Sequence, residues 1–408
     1  MASQQALRGF KDQYPAQKAQ QQYIFSKVRE VAKQLGYEEY DGPIVEPVSL
    51  YADKSSEELL EKQTFQIKPR DKDDQWILRP EMTPTLARMV AAKSNELIFP
   101  LRYFNIGPRF RYEAPQKGRS REFCQMDFDL LGSTSVLSDA EVLLAVVNIL
   151  KSLGATEKDF TVFLNSRSFM KRELDEIGIN EYALTETLQK IDRMDKGEQS
   201  ISPEVKKLIE TEVVISDDEY FSSLFAVLKS YGIDQFFKVD LKTVRGLDYY
   251  TGLVFEVRDK GELRRAILGG GRYDNLISKF NKTAQITGVG FAVSDIVLQE
   301  FLEEKKLLPE LSTKSTKVLV TVFDQKTLGA SIEITSVLRK ANVFVELYPE
   351  TEKKLEKQLK YADRNNIPYV LIIGPEEVEK NMCELIEWRF FHSTVFRRHE
   401  NKGGVDHR

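Results

Sequence analysis

The sequence predicts an α/β chain with more than one domain, and three observations predict it. Its 408 residues exceed what one ordinary hydrophobic core holds, so two or three domains are expected. A strand–loop–strand unit over 101–132 points to antiparallel sheet. After 317, apolar strand-like runs alternate with helical patterns, which predicts a compact unit around a largely parallel sheet.

The elements follow in order. Ile24, Val28, Val31, Ala32 and Leu35 recur at helical spacing over 20–35, and Gly36 follows as a stop. The run YDGPIVEPVSLYA (40–52) is extended and punctuated by proline. ILRPEMTPTLARMVAAK (77–93) reads as strand, turn and helix, with Thr83 as N-cap and Pro84 at the first helical position. In the unit 101–132, strands flank the polar loop APQKGRS (114–120), and a helix follows at about 138–153. Residues 170–232 are charged, helix-patterned and free of chemical motifs, as in a small helical insertion. Strand character returns in VFEVRD (254–259), GGGRYDNL (269–276) reads as a turn, and a helix is expected near 291–306. KKLLPELSTKSTK (305–317) is a linker by its proline and polar content. Beyond it come VLVTVF (318–323), a helix, VFVELY (343–348), a charged helix and YVLIIG (369–374).

Composition narrows the class. Charged residues make 30% and hydrophobic residues 41%, as in a soluble globular protein, and no apolar run reaches a membrane span. The start, MASQQALRGFKDQYPAQ, lacks the apolar core of a signal peptide, and Cys124 and Cys383 cannot make a disulfide framework. A cytoplasmic protein is therefore expected. The net charge of −4 argues against a protein that coats nucleic acid, while leaving room for a local patch that grips RNA. All three histidines, His392, His399 and His407, lie in the last seventeen residues. That removes a histidine triad or zinc site from the body of the chain, and no metal held by protein side chains is expected.

The hairpin carries the clearest chemistry. Period-two alternation puts Cys124, Met126, Phe128 and Leu130 on one face of its second strand, and Arg121, Phe123, Gln125, Asp127 and Asp129 on the other. In the first strand Arg109, Arg111 and Glu113 likewise share a face. Arginine forks suit phosphate oxygens, and Gln125 with Asp129 suits a small polar ligand. The plainer alternative is a solvated sheet face with cross-strand ion pairs.

Four motifs carry a resemblance. F-R-Y-E-x-P-Q-K-G-R-x-R-E-F (110–123), continued by FCQMDFDLLG, resembles motif 2 of class II aminoacyl-tRNA synthetases in its histidyl form. VRGLDYYTG (244–252) resembles the histidine-specific signature of the histidyl-tRNA synthetase family, and GGGRYDNL its glycine-rich turn. GPIVEP (42–47) resembles motif 1, a dimer-interface element, with Pro43 as its proline. The resemblance covers about 1–380.

It implies an α+β catalytic domain over 1–312, with a six-stranded antiparallel class II sheet and the insertion at about 170–232. An α/β anticodon-binding domain would follow over 317–408, atypical from about 382. The implied activity joins histidine to tRNA(His) through histidyl-adenylate. ATP is then a substrate, Mg2+ is expected with it, no prosthetic group is needed, and a homodimer is expected. Arg111 and Arg245 match the arginines that bracket the α-phosphate. Glu113, Arg119 and Arg121 match further ATP-binding positions. Glu81, Met82 and Thr83 match the loop at the α-amino group. Gln125 and Asp129 match the amino-acid pocket, Tyr249 and Tyr250 the tyrosines that close on the imidazole, and Tyr273 its lining. Asp129 stands where many bacterial members carry glutamate.

Two departures stand beside this. Val297 occupies the place of the motif 3 arginine that stacks on adenine, and Ser294 replaces a glycine. Arg119, Arg121 or Arg272 would have to compensate, or ATP would bind more weakly. From Cys383 onward the run CELIEWRFFHSTVFRRHENKGGVDHR matches no family pattern, as in a frame-shifted end or a divergent tail. The expected final strand and helix would then be missing. A rival is the family's histidine-sensing regulatory paralogue of ATP phosphoribosyltransferase, which generally lacks the anticodon domain and the full signature. A third is an RNA-binding scaffold derived from a synthetase.

Overall fold

The computed structural model describes residues 5–51, 63–68, 75–114, 118–194, 200–245, 249–263, 266–351 and 353–387, and the backbone of 392–397. Two compact units divide the chain, Met1–Pro309 and Glu310–Arg408.

The first unit is built on an eight-stranded sheet. Its strands are β1 (Glu38–Glu39), β5 (Leu101–Phe110), β6 (Glu122–Leu131), β7 (Phe160–Ser166), β8 (Phe237–Val239), β9 (Leu253–Asp259), β10 (Ala266–Arg272) and β11 (Gly288–Ser294). They lie in the order β1-β5-β6-β11-β10-β9-β7-β8. The six inner strands are antiparallel, while β1 joins β5 and β8 joins β7 in parallel. The expected six-stranded antiparallel sheet is present, with a short parallel strand added at each edge.

One face of this sheet is apolar. Met126, Phe128 and Leu130 share a buried cluster with Ile24, Val28 and Val31 of the helix Pro15–Gln34. The helices Val136–Ser152 and Asp295–Glu304 belong to the same cluster. Phe128 stacks against Phe291 at 5.0 Å and Phe104 at 5.5 Å. Removing that much aromatic area from water holds the hairpin to the helices. The opposite face is polar and carries the cavity described below.

Local outcomes follow the periodicity with shifted ends. The first helix starts at Pro15, and Gly36 takes φ 74° beyond its end. Helical geometry starts at Thr83 itself, with Met82 before it and no side-chain cap bond. β5 ends at Phe110, so Arg111 and Glu113 lie past its end rather than in it, and residues 115–117 of the polar loop lie outside the described residues. The insertion is helical, with Arg167–Glu176, Glu181–Asp192, Pro203–Glu210 and Glu219–Ser230. Two readings are corrected. GGGR belongs to a strand, not a turn, and 288–294 is strand before the helix begins at Asp295. A separate three-stranded sheet pairs β2 (Val45–Pro47), β4 (Trp76–Leu78) and β3 (Phe65–Ile67).

The second unit has five strands in the order β13-β12-β14-β15-β16. β12 (Val318–Val320), β13 (Val345–Leu347) and β14 (Tyr369–Ile372) are parallel, as the alternating pattern predicts. The helices Leu328–Lys340 and Leu355–Arg364 provide the crossovers. β15 (Met382–Glu387) adds antiparallel to β14, and β16 (His392–Arg397) adds antiparallel to β15. The final strand is therefore present. Cys383 packs with Val318, Val320, Leu371 and Ile373, so the sheet continues past Asn381. No helix among the described residues is long and apolar enough to cross a membrane.

Candidate active site

A cavity of about 410 Å³ opens on the polar face of the first unit's sheet. Its floor follows from what three neighbouring strands point inward. β6 presents Gln125, Asp127 and Asp129. Opposite them in register, β11 presents Ser294, Ala292 and Gly290. Across Ala292 and Gly290 in turn, β10 places Gly269 and Gly271. Polar side chains on one strand beside tiny ones on the next two leave space above the sheet. A Cβ on Gly269 would fall on the Arg245 guanidinium, and one on Gly290 on the Asp129 carboxylate. The glycines thus serve close approach within strands.

Arg111 and Arg245 both line the cavity. Arg111 donates from Nε to the Pro80 carbonyl at 3.0 Å, and its guanidinium lies 5.3 Å from the centre of the Phe123 ring. Arg245 has φ 55°, a region a non-glycine residue rarely adopts. Its carbonyl accepts from Arg167 at 2.9 Å and its Nη1 pairs with Glu256 at 3.0 Å. The plainer reading of Arg245 is a turn-anchoring salt bridge to Asp248, which lies outside the described residues.

The rest of the wall is acidic and phenolic. Tyr273 donates a very short hydrogen bond to Asp129. Burial pushes the Asp129 carboxyl up to about 8, and the neighbouring Asp127 charge adds to that against the opposing pull of Tyr273. Tyr249 donates to Glu81 at 3.3 Å and meets the Tyr250 and Tyr273 rings edge-on at 5.1 and 6.1 Å. Burial raises all three phenols, so they remain donors. Gln125 keeps its buried Oε1 without a hydrogen-bond partner among the described residues.

Of the expected residues, Arg111, Arg245, Glu81, Thr83, Gln125, Asp129, Tyr249, Tyr250 and Tyr273 meet on this one cavity. Met82 does not, because its side chain is fully buried in the interior, against the Arg79 guanidinium. Glu113, Arg119 and Arg121 are also not on its wall. Glu113 pairs with Arg119 at 2.9 Å, and Arg121 lies 3.9 Å over the Tyr112 ring while donating to the Arg8 carbonyl. Arg272 cannot replace the motif 3 arginine, since Asp139 at 2.6 Å, Asp274 at 3.2 Å and the Ser133 carbonyl hold it elsewhere. Val297 is buried at 8% exposure in the helix Asp295–Glu304. Pro43 is exposed beside β2. Residues the sequence reading did not assign also line the cavity, notably Asp127, Glu256 and Asp192. Alternation already put Asp127 on this face. Nothing local marked Glu256 or Asp192. Among the described residues, no group of three or more His, Cys, Asp or Glu is arranged to hold a metal ion.

Known proteins are similar to this chain over nearly its whole length. The family model described as histidyl-tRNA synthetase matches residues 9–199 and 173–296, and the anticodon binding domain matches 317–389. Histidine–tRNA ligase of Leptospira biflexa is 34% identical, covering 93% of this chain and 92% of its own length. That of Opitutus terrae is 34% identical, covering 94% of each. The fold is that of solved histidyl-tRNA synthetases. The one from Nostoc superposes with TM-score 0.79 at 22% identity over 97% of each chain. The one from S. aureus gives 0.76 at 24%, over 96% of this chain and 97% of the other.

Proposed function

The chain belongs to the histidyl-tRNA synthetase family, and on that premise we propose that its cavity activates histidine with ATP and passes it to tRNA(His). The observation that carries this reading is the convergence of Arg111 and Arg245, 134 residues apart in sequence, on the cavity that also holds Asp129, Tyr273 and Glu81. The regulatory paralogue is not favoured, because the ligases match nearly the whole chain and the anticodon-domain match runs through 389.

In the first step a carboxylate oxygen of histidine attacks the α-phosphorus of ATP and pyrophosphate leaves. An in-line displacement of this kind needs positioning and charge stabilisation rather than a protein nucleophile. Arg111 and Arg245 would spread over the oxygens that gain charge. The Pro80 carbonyl orients the Arg111 guanidinium and Glu256 that of Arg245. At the other end Asp129, with Tyr273, would take the imidazole, while Glu81 and Thr83 would take the α-ammonium. A site built this way rejects analogues that leave its buried groups unpaired. In the second step a hydroxyl of the terminal tRNA ribose attacks the acyl carbonyl and AMP leaves.

Mg2+ would enter with ATP and neutralise phosphate charge, held chiefly by phosphate oxygens and water. With Val297 in place of an arginine and Arg272 locked away, adenine would be held mainly by Phe123, so ATP binding should be weak. A homodimer through the region of Pro43 is supported by exposed apolar residues there: Val45 and Trp76 of the small sheet, 41% and 42% exposed, and Ile44 just before it, 44% exposed. Cytoplasmic location is supported by the free thiols Cys124 and Cys383.

The test is histidine-dependent exchange of pyrophosphate into ATP, followed by charging of tRNA(His). Both should occur. Absence of exchange with histidine, at saturating ATP, would refute the reading.

A further inference from the structure

Three acceptors follow one another along the inward face of β6, at 125, 127 and 129. Gln125 and Asp129 have roles in the reading above. Asp127 has none, although it lines the cavity and is 3% exposed.

Asp127 is held in place from behind. Arg109, with no exposed surface, donates from Nη2 to Asp127 Oδ2 at 2.8 Å and to Asn105 Oδ1 at 2.6 Å. The register of β5 against β6 sets Asn105 directly across from Asp127, so all three groups belong to one cross-strand network. Arg109 takes one carboxylate oxygen, and the residue as a whole faces the cavity. Burying such a pair costs desolvation that apolar residues would avoid, so stability alone does not account for it.

A second observation points to a ligand. The neighbouring Gln125 is 9% exposed, lines the cavity, and has an Oε1 with no partner among the described residues. Buried acceptors of this kind are normally satisfied, so a donor is due there. Asp127 lies in register with Ala292 and, beyond it, Gly269, over which the Arg245 guanidinium sits, and Arg111 lines the same cavity. In an amino acid about to be activated, the carboxylate meets those arginines, and the α-ammonium is bonded to the adjacent carbon. An ammonium has three N–H donors in all directions, and Glu81, Gln125 and Asp127 offer three acceptors.

Resting on the histidine reading of the cavity, we propose that Asp127, fixed by Arg109, contacts the α-ammonium beside Gln125 and Glu81 and is a specificity-determining residue of this site. It orients the amino acid by its charge and selects against ligands that lack the amine.

The experiment uses the full chain and two probes that compete with histidine: histidinol, which keeps the amine, and imidazolylpropanol, which lacks it. Inhibition of pyrophosphate exchange is measured for wild type, for Asp127→Asn, and for Arg109→Met combined with Asp127→Asn. The double variant removes both buried charges and guards against a fold weakened by an unpaired Arg109. Histidinol should weaken by about 10-fold or more in both variants, as for loss of a charged hydrogen bond. The amine-free probe should change by less than about 2-fold in both. If both probes weaken alike, or if the double variant restores histidinol binding, Asp127 serves only as the partner of Arg109 and the inference is overturned. Wild-type protein without histidine-dependent exchange would overturn the underlying reading, and that is seen before any variant is compared.

Discussion

Arg111 and Arg245 form one end of the cavity, and Asp129 with Tyr273 forms the other. The arginine end is set by backbone and by the Glu256 side chain that pairs with Arg245. A carbonyl at Pro80 steers Arg111, and a left-handed φ of 55° aims Arg245. The carboxylate end is set by burial. Asp129 and Tyr273 are 4% and 3% exposed and bonded to each other. On the proposed reading, the first end would meet the charge that appears during reaction, and the second would offer a desolvated acceptor to the ring of the substrate. Electrostatic catalysis and recognition would then ask opposite things of their polar groups on one sheet face.

The largest effect should come from the arginine end. Arg245→Ala should slow adenylate formation by roughly 100-fold or more, with a much smaller change in KM for histidine, as for loss of a transition-state donor. Single-turnover kinetics reads this, and an unchanged rate would remove Arg245 from its role. At the other end, Gly290→Ala would drive a Cβ into Asp129. Histidine affinity should fall by about 30-fold, with some loss of stability because the same Cβ meets the Phe128 carbonyl, since a desolvated carboxylate would be displaced from its partner. Calorimetric titration with histidine checks it, and affinity within twofold would mean the floor can yield.

A milder change separates recognition from catalysis. Tyr273→Phe removes the donor to Asp129 and should raise KM for histidine about 10-fold while the adenylation rate at saturation stays within about 3-fold. A fall in rate with unchanged KM would assign Tyr273 to the reaction instead. The smallest effect is a pH dependence of the unliganded protein. Asp129 is raised to about 8, so the folded state holds a proton that the unfolded chain releases near its ordinary carboxylate value. Its contribution to stability is full below that ordinary value and is lost as pH rises through about 8. Denaturant midpoints should therefore decline less steeply between pH 5 and pH 8 in Asp129→Asn than in wild type, and parallel curves would contradict the shift.

Much of this was legible in the sequence. Alternation in β6 put Gln125, Asp127 and Asp129 on one face, because a half-buried strand can hardly do otherwise. The plain alternative also holds in part: the cross-strand ion pair exists, between Arg109 and Asp127. What local sequence concealed was tertiary. GGGR looked like a turn, since glycine usually punctuates, yet these glycines lie in a strand and make room for Arg245 and Tyr250. Residues 291–294 looked like the start of a helix because their apolar run has no period that separates the two. The strand Met382–Glu387 was hidden by a change of composition, although Cys383 and Leu385 still alternate toward the core as a strand requires. Asp192 reaches the cavity wall from the helical insertion, which no spacing rule could show.

The account stands or falls on the orientation of the substrate between the two ends. A crystal structure with a non-hydrolysable histidyl-adenylate analogue tests it most directly. The account predicts the imidazole against Asp129 and Tyr273, and the group in place of the α-phosphate between Arg111 and Arg245. The reverse orientation, or an analogue bound away from this cavity, would contradict it.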